Sequence, residues 1–217
     1  MTEPPSRSST FPPIDHLVWG GRSLNAEIDR LEAWTGVRAA PGGRHPREGT
    51  HNALLALGPD TYLELIAPDL GAPPPARPRW FGLDALDSAR LVAWAVKADD
   101  LDTRAAAARA RGVELGDLGE GRRERSHGDT LAWRLTYPVS QGPVALVPFL
   151  IEWGDGPHPA ASAPAGVRLI ALRAEHPEPA SIRARLEQLG IELEVTAAVT
   201  PALVATLDTP RGRVTLR

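Results

Sequence analysis

A few polar residues stand where their neighbours are apolar or where the chain turns: His16, His51, Asn52, Glu64, Arg134, Glu152 and His158. Glu64 is the only acid in YLELIAP (62–68), and Glu152 the only one in PFLIEW (148–153). A carboxylate taken out of water is costly unless it meets a metal, an arginine or a proton. Strand neighbours point to opposite faces, so each glutamate either faces water or enters a pocket that uses its charge. For Glu64 the second choice is expected. Tyr62 and Ile66 then share its face as pocket walls, and Leu63 and Leu65 pack the other way. Parity gives Leu150 the side of Glu152, with Phe149, Ile151 and Trp153 opposite. His51 and Asn52 open the preceding strand, so one of them is expected to face the cleft. They read either as a polar hairpin edge or as ligand contacts, and His51 suits a general base near neutral pH. Arg134, between Trp133 and Leu135, is either a surface residue or a fork for an anionic ligand. His158 is either a solvated loop residue or part of a lid over the cleft.

These residues need a frame. IDHLVWGG (14–21) reads as a buried strand. LNAEIDRLEAWTG (24–36) reads as a helix, with Ser23 as N-cap, Gly36 as stop and an apolar face of Leu24, Ile28 and Leu31. Strands follow at 50–58 and 61–68, joined by Gly58–Pro59–Asp60, then a proline-rich linker at 71–78. The order repeats with a strand at 90–96, an alanine- and arginine-rich helix at 100–111, and strands at 130–138 and 147–153. After a second linker at 154–166 comes a strand at 167–174, a helix at 179–190 and strands at 191–199, 202–208 and 213–217. A β-α-β-β-β unit is thus written three times. The fold class is α+β, and two units facing each other would cup a cleft. The proline-rich residues 1–12 are expected to be disordered.

Composition narrows the options. The 217 residues suffice for a substantial core, and a net charge of −3 favours neither nucleic acid nor an anionic membrane. With no cysteine, disulfides and thiolate sites are excluded. No apolar run approaches the length of a membrane span, and a cytoplasmic location is expected. All six tryptophans lie at or before Trp153, so an aromatic-walled pocket belongs to the first two units. Trp19, Trp94, Trp133 and Trp153 fall at matching strand positions; most are expected in the core, with one or two flooring the pocket. GDLGEGRR (116–123) has the wrong order for a nucleotide fingerprint, and the basic run at 121–127 reads as a solvated hairpin.

DHLVWGG (15–21), GTHNALLALG (49–58), YLELIAP (62–68) and PFLIEW (148–153), followed by HP at 158–159, together resemble the glyoxalase-like members of the vicinal oxygen chelate (glyoxalase/bleomycin resistance/dioxygenase) superfamily. The resemblance covers roughly residues 13–160. It implies a half-barrel of tandem βαβββ units (about 13–70 and 88–153), with 161–217 as a third, βαβββ-like unit expected to cover a sheet edge or make a homodimer contact. It implies a divalent metal (Zn, Ni, Fe or Mn) held by His16, Glu64 and Glu152, or none. The position of a fourth ligand falls at Leu91, Val92 or Ala93, which bind no metal; His51 is a candidate replacement. Glu64 and His51 are the candidate catalytic residues. His51, Asn52, Tyr62, Arg134 and His158 are the candidate substrate contacts. Two functions follow: metal-dependent lyase, isomerase or dioxygenase chemistry on a small molecule, or metal-free binding and sequestration of one.

Overall fold

A computed structural model of the chain describes residues 14–124, 130–138 and 144–217; the stretch 1–12 lies outside the described residues. The first unit contains β1 (Ile14–Gly20), α1 (Leu24–Thr35), β2 (Ala40–His45), β3 (Thr50–Ala56) and β4 (Tyr62–Pro68). The second contains β5 (Arg90–Lys97), α2 (Leu101–Ala110), β6 (Leu118–Glu124), β7 (Thr130–Thr136) and β8 (Phe149–Trp153). The third contains β9 (Arg168–His176), α3 (Pro179–Gln188), β10 (Glu194–Ala197), β11 (Ala202–Thr209) and β12 (Gly212–Leu216). Helix α1 begins where the Ser23 hydroxyl accepts from the Ala26 amide, and it ends at Gly36, whose left-handed φ of 79° suits glycine.

The first two units form one curled sheet in the order β2-β3-β4-β1-β5-β8-β7-β6. Each unit closes with its last strand parallel to its first, and β1 joins β5 antiparallel at the centre. On the helix-bearing convex face, Leu17, Leu63, Leu65, Trp94 and Leu150 pack with Leu24, Ile28 and Leu31 of α1 and Leu101 of α2. On the concave face, Val18, Ile66, Trp133, Leu135, Phe149 and Ile151 form a separate cluster. The paired βαβββ half-barrel expected from the sequence is therefore present.

Strands β2 (APGGRH) and β6 (LGEGRRE) do not stand out in the sequence. They are glycine-rich and lack alternation, yet they form the two edges of the sheet. An edge strand pairs on one side only, so weak propensity suffices where its neighbour supplies the ladder. In the expected hairpin at 121–127, Gly121–Glu124 belong to β6 and pair antiparallel with β7; the remainder lies outside the described residues.

The third unit has the expected element order but a different topology. Its sheet runs β10-β9-β11-β12, so the strand after the helix forms an edge directly beside the first strand and parallel to it, whereas β2 and β6 form edges three places from β1 and two places from β5's partner β8, respectively. The expectation that this unit covers a sheet edge is also corrected. Leu172, Ala174, Leu203, Ala205 and Leu207 join the convex-face core of Leu31 and Leu101. Burying one leucine is worth about 1.5–3 kcal/mol, and whole domains are stable by only about 5–15 kcal/mol. A chain ending at residue 166 is accordingly expected to lose its cooperative thermal transition, as followed by circular dichroism. A truncated chain that melted cooperatively near the full-length temperature would contradict the shared core.

Candidate active site

The concave face carries a buried polar cluster built from β1, β3 and β4. Strand β1 pairs Ile14 with Val96 and then His16 with Ala95, so Asp15 is an extra residue, a bulge. The bulge reverses side-chain parity. Ile14, Leu17 and Trp19 join the convex core, while Asp15 and His16 both turn to the concave side. Asp15 Oδ1 lies 2.7 Å from His16 Nδ1. Asp15 Oδ2 accepts from Trp153 Nε1 at 2.8 Å and meets His158 Nε2 at 3.1 Å. The Ala160 amide donates to His158 Nδ1, so the proton of a neutral His158 sits on Nε2 and points at Asp15. Burial raises the pKa of Asp15, but hydrogen bonds from His158 and His16, and their charge, outweigh it and hold the carboxyl well below the usual carboxylate range.

With Nδ1 bound to Asp15, His16 directs Nε2 toward Glu64, 3.9 Å from Oε2. The ring is fixed by stacking on Tyr62 at 4.6 Å and by the edge of Phe149 at 5.4 Å. Glu64 Oε1 accepts from Asn52 Nδ2 at 2.5 Å. Because the carboxylate demands the amide NH2, Asn52 Oδ1 is turned elsewhere, and it is buried without a hydrogen-bond partner among the described residues. His16, Asn52, Tyr62 and Glu64 line an inner cavity of about 40 Å³ with Trp80, Phe81, Phe149 and Trp153. An outer cavity of about 640 Å³ shares His45, Trp80, Trp133 and Trp153 with it.

His16, Asn52, Tyr62 and Glu64 thus converge as the sequence suggested, and His158 joins them through Asp15. Three residues do not. Glu152 lies on the convex side, where its Oε1 accepts from the Leu101 amide at the start of α2 and its Oε2 pairs with Arg134 at 3.2 Å. LELI and LIEW are offset by one residue, and a one-residue offset reverses the face of a strand; Ile151 takes the inward place. Arg134 is bidentate on Asp102, and with Glu152 it lines the outer cavity but not the inner one. His51 is half-buried on the face opposite Asn52, and burial lowers its pKa. It is therefore placed neither as a base nor as a fourth ligand. Asp15, His45, Trp80 and Phe81 are site residues that the sequence reading missed. The adjacent acid and histidine in the buried run IDHLVWG were the available signal for Asp15.

The divalent ion implied by the superfamily does not fit this donor set. His16 Nε2 and Glu64 converge, but Asp15 is spent on the other imidazole nitrogen and Glu152 faces away. Among the described residues no group of three His, Cys, Asp or Glu side chains is arranged to hold a metal. Glu152→Ala should therefore cost about 1 kcal/mol through the lost bond at the start of α2, measured by urea unfolding. Asp15 has a folded-state pKa below its unfolded value of about 3.9. Its stabilisation is complete above about pH 4 and declines as pH falls through that value. In urea melts from pH 7 to pH 3, Asp15→Asn should start about 2 kcal/mol lower and lose less stability on acidification than the wild type.

The comparisons with known proteins follow this geometry. Among solved structures, a hypothetical protein from Staphylococcus aureus superposes with a TM-score of 0.61 at 13% identity, over 93% of this chain and 83% of that one. Methylmalonyl-CoA epimerase from Mycobacterium tuberculosis gives 0.43 at 17% identity, over 70% of this chain and 94% of that one. The Streptomyces coelicolor epimerase gives 0.46 at 20% identity, over 67% of this chain and 100% of that one. No curated protein matches in sequence. The model of the family described as "Glyoxalase-like domain" matches residues 14–190, across all of the cleft and into the third unit, and the chain belongs to that family.

Proposed function

We propose that the protein binds a small molecule in the concave cleft and moves a proton on it, as an isomerase or lyase, using His16 and Glu64 in place of a three-donor metal centre. The observation that carries this reading is the approach of His16 Nε2 to Glu64 Oε2, 3.9 Å apart, in a buried aromatic-walled pocket. Two titratable groups of different basicity, side by side in a dry pocket, suit general acid–base catalysis. Glu64 takes a proton from a carbon next to a carbonyl, and the developing enolate is reprotonated at the same carbon, or, where that carbon bears a hydroxyl, at the former carbonyl carbon as the hydroxyl becomes the new carbonyl; in the lyase case the enolate instead expels a leaving group from the β carbon. No net redox change occurs and no co-reactant is needed. Asp15 fixes the orientation of His16 through Nδ1, while Asn52 aims Glu64. Tyr62 and Phe149 hold the imidazole plane and exclude water. A cytoplasmic setting goes with this reading, and among the described residues no helix is long and apolar enough to cross a membrane.

The reading is tested by hydrogen–deuterium exchange. Small carbonyl compounds are incubated with the protein in D2O, and loss of the signal of the proton next to the carbonyl is followed by NMR. Wild type should catalyse exchange on at least one compound. Glu64→Gln keeps an acceptor for Asn52 and nearly the same volume, so it should fold normally, yet exchange should fall at least 100-fold, the scale of a positioned base. Exchange that survives this substitution, or compounds that bind and never exchange, would remove the proton-transfer reading and favour sequestration.

A further inference from the structure

The two cavities describe the shape of what the site takes. The inner one, about 40 Å³, admits only a group of one or two heavy atoms. The outer one, about 640 Å³, falls in the range of sites for whole small molecules. The walls they share are flat and held in place. Trp153 is fixed by its bond to Asp15. Trp133 lies against Gly121, where a Cβ would come within 2.1 Å of the indole. The two indoles sit 5.7 Å apart, and His45 contacts Trp133 and Trp80 at 6.2 and 6.0 Å. Rigid aromatic walls favour a flat, conjugated body, which stacks or meets them edge-on.

At the inner end, the polar demand is specific. Asn52 is 5% exposed, lines the inner cavity and leaves Oδ1 without a partner. A buried acceptor left unmade keeps its desolvation cost, so a ligand that supplies a donor there relieves it. A ligand with only an acceptor at the same position does not.

We infer that the substrate is a flat aromatic carbonyl compound with a short arm ending in a hydroxyl or amine. Its ring lies among Trp80, Trp133 and Trp153, and its arm reaches inward to donate to Asn52 Oδ1 beside Glu64. This names a substrate class for the site proposed above and rests on that site being the functional one.

Three probes separate the requirements: 2-naphthylmethanol; 2-naphthaldehyde, with the same heavy-atom skeleton but no donor; and decahydronaphthylmethanol, with the donor but no flat ring. Binding is read by tryptophan fluorescence and calorimetry. The alcohol should bind at least tenfold tighter than either analogue. Asn52→Ala should remove the preference for alcohol over aldehyde while keeping that for the flat ring. Gly121→Ala, which displaces Trp133 and leaves Asn52 and Glu64 untouched, should weaken both naphthyl probes. Equal affinity for the three probes, or no binding by any, overturns the inference. The same binding measured on Glu64→Gln keeps the two readings apart. Aromatic probes that bind both forms, with no exchange on any compound, would leave this substrate class standing and remove proton transfer. Exchange on aliphatic compounds that depends on Glu64, without aromatic binding, would do the reverse.

Discussion

A carboxylate with no access to water organises this cleft. Asp15 is fully buried, and an ionised acid in that position persists only if surrounding groups replace its hydration. The indole of Trp153 and the imidazoles of His16 and His158 do so, and they come from β1, the end of β8 and the loop after it. The arrangement fixes three things together: the ring orientation of His16, the place of the 158–161 turn beside Tyr62, and the inward wall formed by Trp153. All depend on one extra residue in β1. Without that bulge, Asp15 would point into the convex core beside Ile28 and Leu31, where no donor is available.

The two units share a plan but divide the work. The first supplies the titratable groups, with His16, Asn52 and Glu64 on the concave face of its strands. The second supplies the walls, through Trp133, Leu135, Phe149 and Ile151. Its own charged residues serve stability. Glu152 reaches the exposed amide at the start of α2, where the helix dipole favours negative charge, and Arg134 bridges Glu152 to Asp102. What separates this donor set from a metal centre is that Asp15 is spent on the other ring nitrogen of His16, on His158 and on Trp153, while Glu152 binds α2. This leaves Glu64 with a histidine and an amide as neighbours, an environment suited to handling a proton.

The glycines of the edge strand β6 acquire a reason only in this context. In sequence, LGEGRR looks like a loop. In the fold, Gly119 lies under the ring of Tyr137 and Gly121 under Trp133, each at a distance no side chain would permit. An edge strand of low propensity is tolerated here because β7 supplies its ladder, and the space its missing side chains leave is filled by the rings of Tyr137 and Trp133, of which Trp133 lines both cavities.

The repeated order of strands and helices, the capped helix from Leu24, and the inward direction of Glu64 were legible from the chain alone. Local periodicity and capping chemistry depend on neighbours a few residues away, and these are present in the sequence. The family was legible for the same reason, through short patterns in a fixed order. The partners of each polar group were not. Strict alternation places Asp15 among the leucines, and only the register between β1 and β5 reveals the bulge that turns it inward. Parity correctly separates Glu152 from Ile151, but nothing along the chain says which of those faces is concave, because curvature is a property of the paired sheet. The third unit makes the same point. Its element order is readable, but whether β10 lies far from β9 or pairs beside it depends on which apolar face the rest of the protein leaves to be covered, and that face exists only once the first two units have closed on each other.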